Sequence, residues 1–412
     1  MRSSEWREVK LGEAAIEIID GDRGKNYPNG SDFSNKGYCL FLNAKNVTSA
    51  GFAFDETQFI TKEKDELLRK GKLIRKDIVM TTRGTVGNVA YYKHDIPYEY
   101  MRINSGMVIL RCDESKIYPK YGYWLLKSPI IQDQILAIRT GSAQPQLPIS
   151  IMRNLEFLLP SIKEQKAIAD TLSCLDDKIE LNNKINKTLE EVAQAIFKSW
   201  FVDFEPFKDG EFEDSELGRI PKGWRVGTLG DIASITMGQS PKGSSYNENN
   251  DGTVFYQGRT DFGKRFPTIR LYTTEAKRMA HRGDILLSVR APVGDINVAI
   301  EDCCIGRGLA SLRSKNECNS YLLYQLINLK DGFNVYNGEG TVFGSINKDT
   351  LNDIRVIIPP NDIIQKFQNS YGRFDVMFEN NSIQIRTLTA IRDSLLPELM
   401  SGKIRVPIEE VE

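Results

Sequence analysis

Histidine is almost missing from this sequence: there are two, His94 and His281, at unrelated positions. Its six cysteines, Cys39, Cys112, Cys174, Cys303, Cys304 and Cys318, show no paired Cys-x-x-Cys spacing. A His-based triad, a zinc cluster and a disulfide framework each need such residues grouped, so none is indicated, and the cysteines read as reduced thiols. Long apolar runs are absent as well. Ile354 to Pro360 falls far short of the roughly 20 residues that a membrane-spanning helix requires, and MRSSEWREVK at the start has no apolar signal block. The expected location is the cytoplasm. Phosphate-binding and calcium loops are also missing. GEGTVFG has Phe343 where the last glycine of a phosphate loop belongs, and NENNDG leads to Gly258 where a calcium loop needs glutamate. IIPPND carries prolines but not the Asn-Pro-Pro-aromatic order of an adenine methyltransferase site.

A net charge of -1 denies the chain a strong overall field for a polyanion. Basic residues do cluster locally, at Arg69, Lys70, Lys72, Arg75 and Lys76 and again at Lys264, Arg265, Arg270, Lys277, Arg278 and Arg282. Such runs are usually solvated faces, with a nucleic-acid surface as the less common alternative. With 412 residues, 41% hydrophobic and 26% charged, the chain should form two or three globular domains.

What the sequence does have is a repeat. Trp6, Arg7, Leu11, Gly12 and Glu13 return as Trp224, Arg225, Leu229, Gly230 and Asp231. Asp77 to Gly87 (DIVMTTRGTVG) returns as Asp284 to Gly294 (DILLSVRAPVG), each a strand, a tight turn and a strand; Leu155 to Pro160 returns as Ile354 to Pro359. After each β-rich portion comes a long helical pattern. In the first, Ile168, Leu172, Leu175, Ile179, Asn182, Asn186, Leu189, Ala193 and Ile196 alternate by four and three; in the second, Phe367, Tyr371, Phe374, Phe378, Asn381, Ile385, Leu388 and Leu395 form a comparable stripe. Asparagine in such a seam costs stability and specifies register, so Asn182, Asn186 and Asn381 are expected to pin two long helices against each other. The expected fold is α+β: a tandem repeat of β-rich domain plus long helix, the helices pairing as an antiparallel coiled coil with an internal two-fold. The expected domains are 1–161, a central helix at 162–203, a linker at 204–220, a second β-domain at 221–360, a distal helix at 361–404 and a tail at 405–412.

The segments GRIPKGWRVGTLGDI, GSAQPQLPISIMRNLEFLLPSIKEQKAIADTLSCLDDKIELNNKIN, IFKSWFVDFEPF and SLLPELMSGKIRV, in this order within their repeats, resemble the specificity subunit of type I restriction-modification systems. The resemblance implies that each β-rich portion is a target recognition domain for double-stranded DNA and that the helices also dock methyltransferase subunits. It implies two methyltransferase and two restriction/translocase subunits as partners, S-adenosylmethionine on the methyltransferase rather than on this chain, and no catalysis here. Half-sites on one DNA face lie roughly 34 to 36 Å apart, so two readers need a stiff spacer. Because the repeats agree in framework and differ in loops, the expected target is bipartite and asymmetric. Two alternatives stay open: the specificity chain of a related system whose partner fuses methylation and cleavage, and a coiled-coil scaffold whose β-domains bind proteins.

Arginine favours guanine, and asparagine or glutamine adenine, while lysine, serine and backbone amides suit phosphates. Arg83 and Arg290 occupy matching turns and are candidate DNA contacts, although their very match also suits a framework arginine paired with a carboxylate. The loops that differ supply the other candidates. These are Lys25, Asn26, Tyr27, Arg102, Asn104, Ser142, Gln144 and Gln146 in the first repeat, and Lys242, Ser244, Tyr246, Arg259, Thr260, Arg307 and Thr341 in the second.

Overall fold

The structure is a computed structural model that describes residues 6–141, 145–338 and 344–407. The chain divides into two compact units, Met1–Leu181 with Ile385–Glu412, and Asn182–Gln384.

In the first unit a four-stranded antiparallel sheet is built from Ile16–Asp20, Met107–Cys112, Ile78–Thr81 and Val89–Tyr91, in that spatial order. The second unit repeats the order with Ala233–Met237, Leu309–Ser314, Ile285–Ser288 and Ile296–Val298. The two apolar runs ending in proline do the same job in each unit. Glu156–Leu159 pairs with Arg7–Lys10, placing Leu159 opposite Arg7, and Arg355–Ile358 pairs with Arg225–Thr228, placing Ile358 opposite Arg225. Each unit also has a parallel pair that no alternation in the sequence announced: Cys39–Leu42 with Met101–Ile103, and Thr253–Tyr256 with Cys303–Ile305. Cys39–Leu42 and Cys303–Ile305 are buried along their whole length and read as short continuous apolar runs, whereas Met101–Ile103 carries an arginine at its centre. Within the stretch read as a linker, Phe212–Ser215 forms a hairpin with Gly218–Pro221.

The long helices are Ile162–Phe201 and Asn361–Met400, 40 residues each. The first opens on a reciprocal cap, with the Ser161 amide donating to Glu164 Oε2 at 3.0 Å and the Glu164 amide to Ser161 Oγ at 3.4 Å. Within each unit the two helices pack antiparallel. In the first unit Ile168, Ala169 and Leu172 share a core with Leu396, Leu399 and Met400, and Arg392 Nη1 meets Asp176 Oδ1 at 2.6 Å. In the second, Ala193, Phe197 and Phe201 share a core with Ile364 and Phe367.

Two of the three seam asparagines meet each other across the helices. Asn381 Nδ2 donates to Asn186 Oδ1 at 2.9 Å, and Asn186 Nδ2 donates to Ser382 Oγ at 3.1 Å and the Phe378 carbonyl at 3.3 Å. Asn182, fully buried, donates to Gln384 Oε1 at 3.2 Å. A slip by one heptad would strand these amides in an apolar seam, each at a cost of about 1 to 3 kcal/mol, so one register is singled out.

Matching acids on the helices also grip each unit's own β-domain. Glu180 takes Lys93 at 2.8 Å in the first unit, and Glu379 takes Arg282 at 2.7 Å in the second. Burial would lower the Lys93 ammonium, but Glu180 and Asp177 outweigh it and hold the group above its ordinary range. In the second unit the buried Arg265 guanidinium reaches Asp375 at 3.1 Å and Glu190 at 3.5 Å, one acid on each long helix. Arg265 therefore ties the β-domain to both helices at once.

Candidate nucleic-acid interface

The matching turns after Ile78–Thr81 and Ile285–Ser288 are held by hydroxyls. Thr81 Oγ1 donates to the Thr85 carbonyl and accepts the Asn88 amide at 3.0 Å; Ser288 Oγ donates to the Pro292 carbonyl at 2.8 Å and accepts the Asp295 amide at 2.9 Å. Both turns are then stitched to neighbours on two sides. The Thr82 amide binds the Gly106 carbonyl and its own carbonyl takes the Leu147 amide, while Val289 does the same with Gly308 and Ile346. Gly21 and Gly238 complete the frame, since a Cβ on either would run into the backbone carbonyl of Asn104 or Gly306.

On this frame Arg83 and Arg290 are exposed, and neither side chain has a hydrogen-bond or ion-pair partner among the described residues. Among the described residues, neither turn supplies the carboxylate that the framework alternative requires. Around Arg83 the structure gathers Tyr27, Asn104 and Gln146. Tyr27 Oη accepts the Ser105 amide at 3.3 Å, Asn104 Oδ1 accepts the Gly106 amide at 2.9 Å, and Gln146 forms a backbone bridge to Arg83. Lys25 is exposed on the adjoining loop, and Asn26 Nδ2 donates to the Leu67 carbonyl at 3.3 Å. That loop is anchored by buried Asp22, which accepts the amides of Gly24 and Arg69, each at 2.7 Å. Burial pushes the Asp22 carboxyl up, but these amides and the Arg69 charge outweigh it and hold it below the usual carboxylate range.

Arg102 requires correction as a candidate reader. It is 4% exposed, and its guanidinium is committed to the Asp65 carboxylate and to the carbonyls of Lys70, Asp65 and Leu68. Its spacing beside Asn104 suggested a loop, but it lies on the parallel strand Met101–Ile103, where a side chain alternates into the interior. Ser142, Gln144 and Thr341 lie outside the described residues.

In the second unit the Arg307 amide donates to Ser240 Oγ at 3.2 Å, and Gly308 lies against Gly258. Arg290, Arg307, Arg259 and Thr260 thus share one exposed region. Lys242 and Ser244 are exposed about the turn Gly243–Ser245, whereas Tyr246 is half-buried, its hydroxyl on the Pro241 carbonyl at 3.0 Å and its ring 4.8 Å from that of Phe255.

Several cations of the basic runs are paired within the chain. Lys72 is taken by Asp65, Lys76 by Glu114 and Arg75 by the carbonyls of Lys93 and Ile96; Arg270 is taken by Asp261. Residues that composition did not flag line the candidate interface instead. Arg23 donates to the Ser105 carbonyl at 3.3 Å, and Asp295 pairs with both Arg259 and Lys330. The only sequence signal for Arg23 is its place in the glycine-flanked loop GDRGKNY. Among the described residues no cluster of His, Cys, Asp or Glu could hold a metal ion, and no helix is long and apolar enough to cross a membrane.

Two stretches, residues 3–191 and 221–384, match the family model described as the type I restriction modification DNA specificity domain. The chain belongs to this family. It is 33% identical over 357 residues to a Methanocaldococcus jannaschii protein assigned as the specificity subunit of the type I restriction enzyme MjaX, covering 84% of this chain and 83% of that one. To the specificity subunit of the type I restriction enzyme HindI of Haemophilus influenzae it is 25% identical over 477 residues, covering 97% and 100%. The crystal structure of a type I restriction-modification S subunit from M. genitalium shares the fold, with a TM-score of 0.64 at 16% identity over 97% of both chains. The two family matches coincide with the two repeats. A type I specificity chain is the DNA-sequence recognition component of its system and is itself non-catalytic.

Proposed function

We propose that this chain reads a bipartite, asymmetric DNA target, one short half-site for each repeat, and presents it to two methyltransferase and two restriction/translocase subunits. The observation that carries this reading is the pair of matching exposed turns, bearing Arg83 and Arg290 on one shared frame and ringed by loops whose residues differ. A residue kept in both repeats cannot tell one half-site from another. Arg83 and Arg290 therefore hold phosphates, and the differing residues Tyr27, Asn104 and Gln146, or Arg259 and Arg307, face base edges. A half-site of three base pairs discriminates by about 3 to 9 kcal/mol, at 1 to 3 per mismatch, and joining two half-sites roughly doubles that margin. S-adenosylmethionine belongs to the methyltransferase partner.

Sequencing of modified bases in a host that expresses the complex tests the reading. The expected motif is two short, different specified segments separated by unspecified bases. A single continuous motif, or a palindrome with identical halves, would overturn it.

A further inference from the structure

The shared frame allows the two units to be compared position by position, and one comparison reveals a coupled exchange. In the second unit the turn Arg259–Asp261 is closed by Asp261, whose Oδ2 accepts the amides of Gln257 at 2.8 Å and Gly258 at 3.4 Å. In the first unit the turn Ala44–Asn46 follows the corresponding strand and is closed in the same way, with Asn46 Oδ1 accepting the Asn43 amide at 3.0 Å. This sets Arg259 against Ala44. The hydroxyls of Ser288 and Thr81, which accept the amides of Asp295 and Asn88, set Asp295 against Asn88.

Where the second unit has an arginine facing a carboxylate, the first has alanine and asparagine. Asn88 turns its amide to the Val47 carbonyl at 3.0 Å instead. Two positions on separate loops thus differ together between the units, charge and countercharge both present in one and both absent in the other. An exposed ion pair contributes little to folding, so stability alone gives no reason for the exchange.

Asp295 binds Arg259 at Nε and uses its other oxygen for Lys330 Nζ at 3.2 Å. Held at Nε, the exposed Arg259 guanidinium has no partner for Nη1 or Nη2 among the described residues. That two-nitrogen edge matches O6 and N7 of guanine bidentately, and fixing the side chain beforehand lowers the entropy lost on contact. Lys330, on the same carboxylate, suits a neighbouring phosphate.

We propose that Arg259, positioned by Asp295, reads the guanine of a G·C pair in the half-site of the second repeat, and that the first repeat reads no base by this route. The proposal rests on the DNA-reading function above and names one base pair within it.

The test uses the chain assembled with its methyltransferase subunits and a panel of duplexes in which each position of the target is substituted in turn. Arg259→Ala should lose preference at one G·C position by on the order of tenfold or more and keep preference elsewhere. Arg259→Lys, which keeps the charge without the fork, should lose the same preference while retaining affinity for random DNA. Asp295→Asn should weaken preference at that same position with the unfolding temperature unchanged, a split that a merely structural role would not produce. Equal losses by Arg259→Ala on cognate and random duplexes would make Arg259 a phosphate contact and overturn the proposal, as would undiminished discrimination at every position. If the parent complex itself showed no sequence preference, the DNA-reading function would fall first.

Discussion

Replacing Arg102 and Arg83 separately by alanine distinguishes a frame arginine from a contact arginine. Arg102→Ala removes the guanidinium that serves the Asp65 carboxylate and three backbone carbonyls, with Nη1 at 2.7 Å from the Lys70 carbonyl and Nη2 at 2.7 and 3.1 Å from those of Asp65 and Leu68. Asp65 is 1% exposed and, among the described residues, would keep only Lys72, at 2.5 Å, as an ion-pair partner. Breaking one side of a buried pair costs about 3 to 5 kcal/mol. For a unit of this size each kcal/mol shifts the midpoint by about 2 to 4 °C, so the unfolding temperature should fall on the order of 10 °C. Arg83 is exposed, and its alanine variant should unfold within about 0.5 kcal/mol of the parent. In the assembled complex Arg83→Ala should instead weaken cognate and random duplexes alike and reduce the slope of log affinity against log salt by about one. Thermal unfolding by circular dichroism and salt titrations by fluorescence anisotropy give both readouts. An Arg102→Ala protein that unfolded with the parent but lost cognate preference would refute the reasoning, and so would an Arg83→Ala protein that lost several degrees.

Acid should act partly through the same carboxylate. Burial pushes Asp65 up, but hydrogen bonds from Lys72 and Arg102 outweigh it and hold it below the usual carboxylate range. Its contribution is thus present above the unfolded value of about 3.9 and lost as pH falls through the lower folded one, so Asp65→Asn should be less stable at pH 7 and lose less on further acidification, as denaturant titrations at each pH would report. Of the six cysteines only Cys174 is exposed; burial pushes the Cys39, Cys112 and Cys303 thiols up to about 12, so intact-mass analysis after brief alkylation of the native protein should show one adduct, at Cys174. Replacing Asn186 and Asn381 together by leucine should raise the unfolding temperature yet admit more than one helix register, visible as extra products when cysteines placed along the seam are cross-linked. With a net charge of -1 the lone chain should bind its target weakly and in a salt-sensitive way, and gel shifts at moderate salt should tighten once methyltransferase is added.

The repeat and the long helices were legible because they rest on periodicity, which a sequence carries on its face. The matches of Asp77–Gly87 with Asp284–Gly294, and of the two proline-ended runs, became equivalent strands in equivalent registers. The asparagines were legible for the opposite reason, as polar residues where the pattern demanded apolar ones. The parallel pairs were not, because buried strands of three or four residues lack alternation and pair over long separations. Arg102 misled because a polar residue near a loop gives no sign of its burial, and its partner Asp65 lies 37 positions away. The basic runs gave no sign of which cations would be paired, since Lys72, Lys76 and Arg270 are taken by Asp65, Glu114 and Asp261 outside the runs' own basic positions.

A repeat within one chain offers its own control on function. Residues identical in both copies answer to the fold or to what every DNA site shares, and residues that differ on the same frame answer to what distinguishes one half-site from the other. Thr81 and Ser288 differ in name, yet both cap the same turn through a hydroxyl, so the physical role is kept. Arg23 and Ser105 face each other across one frame position, where the second unit has Ser240 and Arg307, moving the arginine from one loop to its neighbour. Such an exchange leaves the amount of positive charge on the candidate interface unchanged while relocating it from one loop to the other. On the proposed DNA-reading function, affinity from phosphates is then preserved and only the bases within reach change, so one fold can be retained while its target is rewritten.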